Sequence, residues 1–167
     1  MMAGFTGAAH ISSLPANIIQ QLKIHLLDSL GSLVFSIRES TPQKVEQSLR
    51  SLSRLRGPEF PSGLSADHAA QYYTSLIRYP DYMDNFLAKE STCHPSDNIG
   101  ALLAAAHVKE ISGEDFLTAM AVAYEMECRL TEQLPVMIKG YDHTTLLAFS
   151  TTAGISRLLE LTQEQTM

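Results

Sequence analysis

The spacing of apolar residues constrains this chain more than any other feature, because it is helical wherever it is strong. From Ala16 to Ile37, Ile18, Ile19, Leu22, Leu26, Leu30, Leu33 and Ile37 recur at steps of three and four. That period places them along one face of a helix, and no segment alternates with the period of two that a strand needs. Ser13 and Pro15 mark the start of this helix, and Thr41-Pro42 opens the next, which reads on to a stop at Gly57. Ser65 caps a third helix, Ala66 to Tyr79, which Pro80 ends. Asp81 to Cys93 reads as a loop.

A fourth helix opens at Pro95 or Ser96 and runs to Ile111. Its Gly100, Ala101, Ala104, Ala105 and Ala106 lack bulk, so neighbouring helices can come close. Ser112-Gly113-Glu114-Asp115 is a cap with an acidic first turn before the helix Phe116 to Leu130. Thr131 to Asp142 reads as connection and Thr144 to Leu161 as the sixth helix. The closing TQEQTM carries the cap and acidic first turn of one more, so the domain reads as truncated. The expected fold is all-α, an irregular multi-helix bundle over residues 13–167 behind a flexible tail, 1–12. Apolar surface is expected on the last helix, around Leu146, Leu147, Phe149, Ile155 and Leu158. That surface implies a homo-oligomer or a complementary chain.

Composition narrows the partners. A net charge of −6 without a basic patch argues against nucleic acid and anionic membrane. No run reaches the length of a membrane span, and the N-terminus lacks the cationic and apolar regions of a signal peptide. Cys93 and Cys128 read as free thiols of a reducing, cytoplasmic setting.

Reactive side chains gather between Asp81 and His107. Asp81, Asp84 and His94 could bind a divalent ion, but loop aspartates more often cap the next turn, and no metal-site spacing is present. His94-Pro95-Ser96-Asp97-Asn98 opens a helix, whose unpaired N–H groups suit a carboxylate. A histidine there can donate to the same anion or move a proton; the plain alternative is that Ser96 or Asp97 caps the helix. His143, in KGYDHTT, also stands at a helix start, four residues after Lys139.

The stretch IRYPDYMDNFLAKESTCHPSDNIGALLAAA resembles the central signature of the MmgE/PrpD family, which contains 2-methylcitrate dehydratases and cis-aconitate decarboxylases. LPANIIQQLKIHLLDSLGSLVF, SGEDFLTAMAVAYEMECRL and GYDHTTLLAFSTTAGISRLLELTQEQ extend the resemblance over nearly the whole chain. It implies a lyase that removes water or carbon dioxide from a di- or tricarboxylate without metal or organic cofactor. It implies catalytic roles for Asp81, His94 and His143. Asn85, which replaces the family's usual threonine, Ser96 and Lys139 are the expected substrate-binding residues. The family's full-length enzymes add later lysines, a tyrosine and an α/β lid domain, so this chain corresponds to the first part of the helical domain.

Overall fold

A computed structural model describes residues 2–52 and 63–167. The expected helix stop at Gly57 lies outside the described residues. Among the described residues the fold is all-α apart from one minimal hairpin. Its elements are α1 (Met2–Ala8), α2 (Ala16–Ser36), α3 (Ser40–Leu52), α4 (Ala66–Arg78), β1 (Phe86–Leu87), β2 (Thr92–Cys93), α5 (Ile99–Val108), α6 (Gly113–Gln133), α7 (Leu147–Leu158) and α8 (Gln163–Thr166). Short 3₁₀ turns, Pro95–Asn98 and His143–Leu146, lead into α5 and α7.

α5 is the centre of the bundle, packing on α4 on one side and on α6 and α7 on the other. Ile99, Leu102, Met120, Ala123 and Leu158 form the main core. The small residues act as the sequence suggests. A Cβ built on Gly100 would fall 2.4 Å from the Thr74 backbone nitrogen of α4. A Cβ on Gly154 of α7 would lie 3.0 Å from that of Ala123 on α6. Ala104 and Ala105 are buried, so the expected inward face of α5 is confirmed.

Two helix starts are built as their sequences predict. Ser112 accepts a hydrogen bond from the Asp115 N–H at 3.1 Å, and Thr162 forms a capping box with Gln165. Ser112→Ala should lower stability by about 1 kcal/mol, the usual worth of such a cap. Thermal unfolding tests this, and an unchanged midpoint would show that the cap is idle.

Three features differ from the sequence reading. The first residues are a helix rather than a tail: α1 lies on α7 and α8 with Ala3 and Thr6 buried, and Arg157 Nε donates to the Ala9 carbonyl at 3.0 Å. The loop before His94 contains the antiparallel pairs Phe86–Cys93 and Leu87–Thr92. The expected apolar surface is only partly in place: Phe149 is 54% exposed, but Leu146 and Leu158 are buried.

The larger apolar surface is on α2. Leu22, Ser29 and Ser36, seven residues apart, form its inner seam, while Leu27, Val34 and Phe35 are 72%, 67% and 61% exposed. Ser36 satisfies its hydroxyl on the Ser32 carbonyl at 2.8 Å. Among the described residues no helix is long and apolar enough to cross a membrane.

Candidate active site

Helix starts position the two central histidines. His94 ends the hairpin, immediately before the Pro95–Asn98 turn, and His143 opens the turn before α7. Their rings meet edge to face with centroids 5.1 Å apart. The structure therefore joins residues 49 positions apart that the sequence could relate only by their similar settings.

His94 has a defined orientation. Its Nδ1 lies 2.8 Å from the backbone carbonyl of Asp84. A carbonyl only accepts, so Nδ1 carries the proton and the lone pair of the neutral ring is on Nε2. His143 is buried between two carboxylates: Nε2 is 3.5 Å from Asp97 Oδ2, and Nδ1 is 3.3 Å from Asp142 Oδ1. Asp97 is buried and Asp142 exposed, so only the Nδ1 side opens toward solvent. The Thr144 N–H, donating to Asp142 at 2.9 Å, holds that carboxyl below its usual range.

Asp97 also binds Arg78, the last residue of α4, whose Nη1 donates to Oδ2 at 2.5 Å. Arg78 and Asp97 were absent from the expected site. Asp97 figured only as a cap, and Arg78 stands 19 residues earlier on another helix. One signal was available: Arg78 is the sole arginine between Arg56 and Arg129.

The other expected residues are placed less centrally. Asp81 is exposed in the left-handed region, at φ 59°, with its N–H on the Arg78 carbonyl at 3.1 Å. That carboxylate acts on the Arg78 charge but stands outside the imidazole pair. Asn85 and Lys139 are exposed, and neither makes a side-chain hydrogen bond or ion pair among the described residues. Ser96 is buried. Its N–H donates to Asp84 Oδ1 at 2.9 Å, and its hydroxyl has no partner.

Asp84 therefore caps the turn, as loop aspartates often do, and Ser96 and Asp97 do not. The Asp97 N–H is likewise used, on the His94 carbonyl at 2.9 Å. Two N–H groups of the turn are thus already paired. Among the described residues no group of three or more metal-ligating side chains is assembled.

Behind the histidines lies a buried polar node at Asn98. Its amide donates to the Pro95 carbonyl at 3.0 Å and to Glu127 Oε2 at 2.6 Å. Its carbonyl accepts from Ser150 at 2.9 Å and Thr151 at 2.8 Å. Every hydrogen-bonding position of this side chain is filled. Burial, and then the nearby Cys93 sulfur, push the Glu127 carboxyl up to about 9. Asp97 Oδ1, the Ser96 hydroxyl and His143 Nε2 are buried without hydrogen-bond partners. Native folds leave few such groups unpaired, and these three belong to the two turns that carry the histidines.

Paired imidazoles and unpaired buried polar atoms thus meet at two helix starts of an all-α domain. The chain belongs to the MmgE/PrpD family, whose N-terminal domain profile matches residues 1–167. It is 34% identical to the alkylcitrate dehydratase phiI of Fungal sp. (strain ATCC 74256), across 89% of this chain and 33% of that protein. It is 36% identical to the probable 2-methylcitrate dehydratase of Saccharomyces cerevisiae, across 56% of the chain and 20% of that protein. It is 31% identical to the 2-methylcitrate dehydratase of Escherichia coli K12, across 67% and 25%. The chain thus spans a third or less of the length of these relatives.

Proposed function

We propose that this chain supplies the helical wall of a hydro-lyase site for a citrate-type hydroxy acid. The observation that supports it most is the His94–His143 pair, with its neighbouring Arg78–Asp97 contact. Dehydration of such an acid removes a proton from the carbon beside a carboxylate and expels a hydroxyl as water. His94, with its lone pair on Nε2, is the proton acceptor. His143 is the N–H donor on its open Nδ1 side, and Arg78 is the nearest cation for a substrate carboxylate. Asp81 bears on that cation, and Asn85, Ser96 and Lys139 remain the expected substrate-binding residues.

This wall does not balance a tricarboxylate. Asp81, Asp84, Asp97 and Asp142 stand around one arginine and three imidazoles, counting His25, which lies 3.4 Å from Asp84. Further cations are needed, and in this reading they come from outside the chain. Fixed charges and donors that stabilise a developing enolate usually account for more of such catalysis than any other effect. The chain alone should therefore bind a citrate-type anion weakly and turn it over little or not at all. The exposed Asn85 and Lys139 also favour a second reading, a non-catalytic subunit that binds a relative or a small anion. Association, through a second copy or a complementary chain, is part of both readings.

The test is an NMR titration with 2-methylcitrate, following both imidazoles, beside an assay for water loss. Concerted shifts of His94 and His143 are expected, with the His143 response lost in His94→Ala. No shift at either ring would reject the site, and turnover that survives His94→Ala would reject the assignment of the base.

A further inference from the structure

Asp84 is tied to more than the turn it caps. Its side chain is only 12% exposed, and its two oxygens serve different elements. Oδ1 accepts from the Ser96 N–H at 2.9 Å, and Oδ2 lies 3.4 Å from Nδ1 of His25 on α2. Its backbone carbonyl receives the His94 Nδ1 proton at 2.8 Å. One residue thus joins α2, the Pro95–Asn98 turn and the His94 ring.

The His25 ring is itself set. Its Nε2 lies 3.0 Å from the side-chain nitrogen of Gln21, one turn earlier on α2. An amide nitrogen only donates, so this Nε2 accepts, and the proton of the neutral ring is on Nδ1, facing Asp84. The Tyr124 ring of α6 packs beside it, with centroids 5.7 Å apart.

On the proposed reading of His94 as proton acceptor, we infer that His25 is its positioning residue, acting through Asp84. An acceptor on Nε2 needs the ring proton on Nδ1, and the tautomer is set by the bond that the other nitrogen makes. Here that bond goes to a loop carbonyl. Asp81, Tyr82 and Asn85 are exposed, so the Asp84 carboxylate anchors the middle of this loop, one oxygen on the turn and the other on α2. Removing His25 releases the second hold and leaves a largely buried carboxylate without its ion-pair partner, which favours turning Asp84 toward water. The carbonyl then leaves Nδ1, and the His94 proton is free to move to Nε2.

The experiment reads the His94 tautomer of the full chain, without substrate, by long-range nitrogen–proton NMR at about pH 8, above the usual imidazole range. The wild type should show mainly the Nδ1–H form. In His25→Phe, which keeps a ring beside Tyr124 but no donor, that form should fall to a minority. In His25→Gln, which returns a donor toward Asp84, it should recover. Circular dichroism checks the fold of each variant. If His25→Phe does not fold, Gln21→Leu, at an exposed position, serves in its place: it frees the His25 ring, and the Nδ1–H form of His94 should again decline. An unchanged His94 tautomer in the folded variant, no recovery in His25→Gln, or a wild-type His94 protonated on Nε2 would each overturn the inference. No substrate enters this measurement, so its failure is distinct from a failure of the lyase reading, which the 2-methylcitrate titration detects.

Discussion

Gly100→Ala should be among the most damaging single substitutions in this chain, costing about 3 kcal/mol, the upper end of overpacking penalties. The reason is the identity of the atoms that the new methyl would meet. Thr74 Oγ1, at 2.3 Å, could rotate away. The Thr74 backbone nitrogen at 2.4 Å and Cα at 2.7 Å cannot. α4 and α5 would have to separate along their whole contact, and Leu76, Ile77 and Leu102 beside it are fully buried. Alanine is the better helix former by roughly 1 kcal/mol, so propensity predicts the opposite sign. Urea unfolding of the two proteins decides between them. A midpoint unchanged or raised would mean that the helices do not approach as described.

Glu127→Gln should have the opposite effect and stabilise the chain. Glu127 ordinarily ionises near 4.5, and in the fold its carboxyl is pushed up to about 9. Between those values the unfolded chain has released a proton that the native chain retains, so stability falls as pH rises. Below about 4.5 the group costs nothing, and above about 9 both states are ionised and the loss is complete. At pH 7 the accumulated cost is about 3 kcal/mol, from roughly 1.4 kcal/mol per unit of difference. Glutamine keeps an oxygen for the Asn98 amide and removes the ionisation. The wild type should therefore lose stability from pH 5 to 9 beyond any change seen in the variant. The two should converge below pH 4.5. Parallel stability curves across this range would show that Glu127 is charged in the fold.

What the sequence made legible followed from range. The small face of α5, the Ser112 cap and the Thr162 capping box are written in residues three or four apart, and all three are built as read. The hairpin escaped because two residues per strand cannot display a period of two. α1 escaped because its seven residues, two of them glycine, fold by docking on α7 and α8 rather than by propensity. α2 misled by composition: Ser29 and Ser36 turn inward, and part of its hydrocarbon faces out. In the candidate site, position and family resemblance led to both histidines. The Arg78–Asp97 contact joins separate elements, and only the tertiary fold brings them together.

The Asn98 node has a mechanical consequence. Asn98 belongs to the turn that His94 precedes, and its carbonyl grips Ser150 and Thr151 of the helix that His143 precedes. The two imidazoles are thus bolted to one bracket, with Glu127 of α6 as its third leg. Shifting one helix start against the other would strain these hydrogen bonds. Asp81, Asn85 and Lys139 stand in solvent outside this bracket, so side-chain freedom near the histidines is concentrated there.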